Sequence, residues 1–338
     1  MKTKIVLLLV CITALVVLNP VDLYAIHSKA GTFAYSFLKI PVGAKAAALG
    51  GAYTGLSDDE SGMYYNPAGI SQISGSAISG SYNNYLAGIQ GGFLSYIMPW
   101  RENGKIGVAV NYLNYGSTTK TDVSGNAIGD FGGGDLAFSL TVAWMRPGDS
   151  EVDYTSEESY YDNNNPYLRW NGLSLGMTAK FIYESLDEYS SDAVAVDIGL
   201  LYGLKDHRTR IGIAANNLGF QMKSLSSGHK ESTPATLRAG VGHHLKDAPL
   251  IISVDAVKPF DNDFHFAAGV NFVRYNPLEV RAGYSTLGQD YKTGSDKDNW
   301  AGLSFGIGLK LKKIVFDYAI VPFADIGNSH RVAVSTRW

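Results

Sequence analysis

The chain has 338 residues and a net charge of −3 spread along its length, so neither a basic patch for nucleic acid nor an acidic tail is present. Its only cysteine, Cys11, excludes a disulfide-stapled secreted domain, and beyond the N-terminus no apolar run reaches the roughly 18 residues of a membrane helix. A composition rich in Gly and Tyr, with near-neutral hydropathy, leaves two all-β classes open: a soluble sandwich and a membrane barrel.

The first element is a leader. Lys2 and Lys4 precede an apolar run from Ile5 to Leu18 that breaks at Asn19-Pro20, the layout of a cleaved secretory signal. A run of about 14 residues is shorter than the roughly 20 that a transmembrane helix needs. Small residues at Ala25 and at Ala30 both offer a cleavage site, and residues 1–25 are taken as the signal peptide. Cys11 would leave with it, and Leu9-Val10 lacks the small residue of a lipoprotein site.

Residues 26–71 form the second element, a segment that enters the lumen as a partly helical hatch. Ala44, Ala46, Ala47, Ala48 and Leu49, after Gly43, favour a short helix, and Gly50-Gly51 ends it by supplying left-handed conformations. At Asn66-Pro67-Ala68-Gly69 the proline fixes its own φ and pushes Asn66 into an extended conformation, while Ala68 and Gly69 allow close packing against a wall. A periplasmic linker is the alternative, but it has less reason to carry Phe33, Tyr35, Phe37, Leu38 and Ile40 so densely. Asp58-Asp59-Glu60 reads as a solvated acidic turn rather than a cation site.

From residue 72 to 338, segments of about ten residues alternate apolar with small or polar side chains and are separated by Gly, Asn, Asp and Pro clusters. Leu303, Phe305, Ile307 and Leu309 share one face, with Ser304, Gly306, Gly308 and Lys310 on the other. Aromatics decide between sandwich and barrel. Trp100, Tyr112, Tyr115, Trp144, Tyr183, Tyr202, Tyr284 and Tyr318 are placed near strand ends on the apolar face, as interfacial girdles require. The spacing predicts about fourteen antiparallel strands, centred near residues 78, 94, 110, 140, 177, 197, 213, 240, 253, 269, 282, 304, 317 and 334. With periplasmic termini, tight turns fall at 101–104, 205–208, 246–249, 275–277 and 310–313, and long polar loops at 116–133, 218–234 and 288–298. The stretch from Pro147 to Arg169 is long where a turn belongs, so either the count slips or the chain protrudes there.

On the inward register fall Lys180, Asp197, Arg210, Arg238, Asp255, Glu279, Arg281, Lys310, Asp317 and Arg331. Lys180 with Asp197, Arg238 with Asp255 and Asp317 with Arg331 are the expected ladders bracing the wall; a charged solute passage is the alternative use. The last strand puts Val332, Val334 and Trp338 on one face, and its terminal aromatic resembles the mark by which the barrel-assembly machinery takes up outer-membrane clients.

The block from Tyr35 to Tyr53, followed by Asp58-Asp59 and Met63-Tyr64-Tyr65-Asn66-Pro67-Ala68-Gly69-Ile70, resembles the start of PorV/PorQ family proteins, which group with FadL-like outer-membrane barrels. The match is sharp over about residues 35–71, and beyond it only architecture agrees. The resemblance implies a lumenal hatch and a place in type IX secretion, with the barrel binding or shuttling secreted cargo. FadL-like barrels in general imply the alternative, transport of small hydrophobic compounds. A structural outer-membrane protein without cargo is the third reading.

No catalytic constellation stands out and no cofactor is implied, so an enzyme is not expected. His243 and His244 are adjacent on a strand and point to opposite faces, which separates them as metal ligands. The partners expected are outer-membrane lipid, the assembly machinery, and either secreted cargo or a hydrophobic small molecule, in the outer membrane of a Gram-negative-type bacterium.

Overall fold

The computed structural model describes residues 31–148, 171–225, 230–245, 248–275 and 277–338. The leader and most of the connection between Pro147 and Arg169 lie outside the described residues, as does Lys246-Asp247 of one expected turn. The strands are β1 (Ala77–Asn84), β2 (Gln90–Pro99), β3 (Gly104–Thr121), β4 (Ala127–Pro147), β5 (Gly172–Leu186), β6 (Tyr189–Gly203), β7 (Thr209–Lys223), β8 (Thr236–His244), β9 (Leu250–Pro259), β10 (His265–Tyr275), β11 (Leu278–Ser285), β12 (Leu303–Leu311), β13 (Ile314–Pro322) and β14 (Asn328–Arg337). Each pairs antiparallel with its sequence neighbours, and β1 pairs with β14, so the sheet closes without an edge. Every one of the fourteen centres expected from the sequence falls within its strand.

Alternation sets which face meets lipid. On β12, Phe305, Ile307 and Leu309 are exposed while Ser304, Gly306 and Gly308 between them are buried. The same holds on β5, where Leu175, Met177, Phe181 and Tyr183 point out and Ser174, Gly176, Thr178 and Lys180 point in. Such a belt spans a membrane, whose core a tilted strand of about ten residues crosses. Strands β3 and β4 run to 18 and 21 residues and β5 to β7 to 15 each, so one side of the barrel rises beyond the others.

The connections alternate as expected. Pro147 pairs with Gly172 and Arg146 with Leu173, so the count does not slip, and the chain leaves and re-enters at the end that carries the tight turns. Three details differ from the sequence reading. The stretch 116–133 is not a loop: β3 and β4 stay paired to Thr121 and Ala127, past a bulge at left-handed Gly116, because Asp122 closes a tip by accepting from the Ser124 and Asn126 amides. Residues 218–223 likewise belong to β7, and 286–300 form two short 3-10 helices. Tyr115 does not join the outer girdle. It has the parity of buried Leu113, packs inward and donates to Asp135, whereas Tyr112 is outside.

The inner segment makes a circuit of the wall. At the loop end, Phe33 bridges Ser232 of the β7–β8 connection and Tyr35 meets Ser191. The chain then forms α1 (Ala44–Ala48) against β11 to β14, passes β10, β9 and β8, and forms α2 (Gly62–Tyr65). Residues Pro67–Gln72 follow as a 3-10 turn against β3 to β6, and Ser76 reaches the turn end, exchanging backbone hydrogen bonds with Trp338.

Arginine at Ile307, on the lipid face, should cost about 2–4 kcal/mol near the midplane, whereas Lys310→Arg at the exposed rim should be neutral; reversible folding into bilayers reads both. Ser304, in contrast to a tolerant lumenal position, is packed against the Ala48 carbonyl and will not accept a large side chain. Because the segment enters at the loop end, a cysteine at exposed Thr32 should react with a membrane-impermeant maleimide added to intact cells. Labelling only after outer-membrane disruption would reverse the direction of the thread.

Candidate functional site

The hatch and the inward faces holding it form the site. α1 is short, and its end is built as the sequence suggests: Gly50 and Gly51 take positive φ, and the Gly51 amide donates to the Ala46 carbonyl. Gly43 also has positive φ and lies against Ser61. Leu49 is fully buried. Asn66 is extended, as Pro67 requires, and its side chain caps the following turn by accepting from the Ala68 amide at 3.1 Å. Its amide nitrogen donates to the Thr54 carbonyl at 3.1 Å and to the Leu200 carbonyl at 2.9 Å, tying two segments of the hatch to β6. Ala68 abuts the wall at Gly176, but Gly69 packs against Ser57 of the hatch itself rather than the wall, because the turn folds back on the preceding loop.

Inward glycines make the close approach. A Cβ on Gly283 would lie 2.2 Å from the Gly50 nitrogen, and one on Gly176 2.3 Å from the Ala68 nitrogen, so backbone meets backbone with no room for a side chain. Between these contacts the wall supplies acceptors and donors. Asp255 accepts from the Tyr53 and Thr54 amides at 3.0 and 2.8 Å, and Ser304 donates to the Ala48 carbonyl at 3.0 Å. Asn216 donates to the Tyr64 carbonyl and Ser71 shares a hydrogen bond with Ser174.

The acidic turn is not solvated. Lys45 reaches Asp58 at 2.7 Å with both side chains buried, and Tyr53 donates to the same carboxylate at 2.6 Å. Burial pushes the Asp58 carboxyl up, but the Lys45 charge and these two hydrogen bonds outweigh it and hold Asp58 below the usual carboxylate range. Asp59 accepts from Ser61, and Glu60 pairs with Arg337 at 2.7 Å, so the three carboxylates turn to three different partners instead of converging on a cation. Lys39 pairs with Asp261 of the β9–β10 loop.

Of the inward charges, Lys180 and Asp197 meet at 2.7 Å, joined by Asn217 at a bulge between β6 and β7. The other two expected ladders do not form. Asp255 is engaged by hatch amides, and Arg238 instead lies over the Tyr65 ring, 5.5 Å from its centroid. Asp317 pairs with Arg281, which also holds Glu279 at 2.7 Å, and Arg331 is left aside. Arg281 and Asp317 sit two strands apart, and Gly308 on the strand between them leaves the gap through which they meet. Arg210 is buried on β7. Lys310 has inward parity but is exposed at the turn end and lines no packed interior. Val332, Val334 and Trp338 face outward, with Trp338 stacked on Tyr96. The clamps of Lys45, Lys39 and Arg337 were missed in the sequence, although the parity of Arg337 with Arg331 marks it as inward.

At the loop end, Ala34, Tyr35, Phe37 and Leu38 fill an apolar chamber walled by Leu113, Ala137, Ile182, Ala193 and Ala195 of the tall strands. The hatch itself occupies this chamber.

No family model matches the chain and no curated protein matches it in sequence. Solved structures share the fold. The toluene transporter TbuX of Ralstonia pickettii superposes with a TM-score of 0.58 at 13% identity, over 88% of this chain and 98% of that one. The toluene transporter TodX of P. putida gives 0.55 at 14%, with 88% and 98% covered. A FadL homologue of Pseudomonas aeruginosa gives 0.52 at 10%, again over 88% and 98%.

Replacing Asp255 by Ala leaves two buried hatch amides without an acceptor, at about 1–3 kcal/mol each. The variant should assemble but conduct more ions in planar bilayers than the parent, and Gly283→Val should do the same by displacing Gly50. Parental conductance in both would mean that the hatch does not depend on these contacts.

Proposed function

We propose that the protein is an outer-membrane barrel that admits small hydrophobic compounds, with residues 26–71 as its gate, residues 72–338 as its wall and residues 1–25 as a cleaved export signal. The observation that carries this reading is the apolar chamber under the loops, filled by Phe37 and Leu38 of the hatch. An apolar solute replaces such side chains at little cost, because both partners are shed from water equally well. The hatch leaves by breaking a finite set of polar contacts, those of Asp255, Asn66, Lys39 and Asp58, rather than by unfolding the wall. The shared fold with two toluene transporters agrees with this choice of solute. The export role implied by the PorV/PorQ resemblance has residues 35–71 as its whole support, and the chamber gives it none. In the same proposal Trp338 marks the last strand for assembly, and the inward charges brace the wall and seat the hatch.

Cells producing the protein should take up radiolabelled toluene faster than cells without it, with sucrose uptake unchanged. Phe37→Ala should quicken toluene entry further by emptying part of the chamber. Equal toluene uptake with and without the protein would end the proposal.

A further inference from the structure

The outer end of the hatch rests on an acidic rung of the wall. Asp135 of β4 is in register with Glu184 of β5, and Glu184 with Ser191 of β6. Gln221 of β7 donates to Ser191 at 2.7 Å and accepts from the Glu231 amide at 2.9 Å. The hatch lands on this rung: the Tyr35 hydroxyl meets Ser191, the Tyr35 amide faces Glu184, and the Ala34 amide donates to the Ser232 carbonyl. Phe37 and Leu38 follow into the apolar chamber.

Two acids are set against each other here. Directly opposed residues hold their Cβ atoms about 4.5–5.5 Å apart on one face, where like charges repel. Asp135 is 4% exposed; its Oδ2 accepts from Tyr115, and its Oδ1 has no hydrogen-bond partner. Oε2 of Glu184 is likewise enclosed and without a partner. Among the described residues no basic side chain offsets either carboxyl. Glu231 instead adds a third negative charge within electrostatic reach of Glu184, and Asp192 on β6 acts on Tyr35. Lys180, four residues from Glu184 on the same face, is held by Asp197; Lys223 on β7 is opposite Asp192 and donates to Ser190; Lys230 is exposed. A cation or a water would need room that the enclosed oxygens lack, whereas a proton needs none.

We propose, building on the reading of the hatch as a gate, that Asp135 and Glu184 share one proton and form a pH-sensitive latch on the seat of Tyr35. Two carboxyls in one buried site do not both ionise near neutral pH, because the first charge opposes the second. In the closed form the proton bridges the opposed oxygens as a carboxyl–carboxylate hydrogen bond. On opening it passes to bulk water, and the two carboxylates repel each other and release residues 33–38. The closed form thus holds one proton more than the open form, so closing is favoured in acid and weakens as pH rises above the ordinary carboxylate range.

Hydrogen exchange of the protein in detergent micelles reads the latch. Corrected for the intrinsic pH dependence of exchange, the Ala34 and Leu38 amides should lose protection as pH rises, about tenfold for each pH unit over which the two forms differ by one proton. Amides of β12 should keep theirs. Asp135→Asn and Glu184→Gln each leave a single carboxylate in the pair and should flatten the dependence. Parental protection that stays constant at Ala34 and Leu38 from about pH 5 to about pH 8 overturns the latch, since ordinary carboxyls titrate below that range. A loss on β12 as large as at Ala34 overturns it too, and neither measurement needs a variant to fold. A variant that keeps the parental slope also overturns it, by assigning the proton elsewhere. Exchange reports the seat whether or not toluene crosses the barrel. A constant seat with toluene uptake therefore ends the latch alone, and a responding seat without uptake supports the latch while ending the choice of solute.

Discussion

A fourteen-stranded barrel has a lumen wider than its wall side chains can fill, and whatever fills it must have its own backbone polar groups satisfied away from bulk water. The hatch meets that demand with little regular structure, since its helices are only four to six residues long. Its own turns and side chains pair many of its amides and carbonyls, and the wall answers several of the rest. Asp255, Asn216, Ser304 and the Leu200 carbonyl do so, and inward Gly240, Gly306 and Gly199 let hatch and wall approach beside three of these contacts. The small residues on the inward register and the irregular course of the hatch are one feature seen from two sides.

Charge follows the same logic. A buried ion is tolerated where a partner is close and its remaining hydrogen bonds are met. The wall reaches such partners across strands as well as along them: Arg281 spans a glycine on β12 to meet Asp317, and Lys180 on β5 reaches both Asp197 on β6 and Asn217 on β7. Several of these charges lie between wall and hatch, so they fix position more than they add stability.

The architecture was legible because it rests on parity. Strand number, the lipid face and the inward placement of most charges all follow from a period of two, and the break at Asn66-Pro67 follows from proline sterics. Parity read carelessly also misled: Tyr112 and Tyr115 differ by three positions and cannot share a face. Pairing was less legible, because the stagger of the barrel brings next-nearest strands together wherever a glycine intervenes, and no single strand encodes that. The clamp between Asp255 and the Tyr53–Thr54 amides was not legible at all, since it joins a side chain to backbone some two hundred residues away. The same holds for the 116–133 hairpin, whose polar, Gly-rich composition is that of a loop while its cross-strand hydrogen bonds continue regardless.

Closure and hatch seating are coupled through one strand. β14 completes the sheet by pairing with β1, and Trp338 exchanges hydrogen bonds with Ser76, where the hatch becomes wall. One residue earlier, Arg337 reaches inward to Glu60 and to the Asp58 carbonyl, while Asp58 holds Lys45 of α1. Six residues earlier still, Arg331 is buried on the same inward face. A strand whose outward residues meet lipid therefore carries, at inward Arg337, a group that locks the hatch. An unclosed barrel lacks this group in place, and a hatch outside the lumen leaves Arg337 without Glu60 and the Asp58 carbonyl. Each state disfavours the other's absence, which makes the closed, plugged barrel the form the chain settles into as a unit.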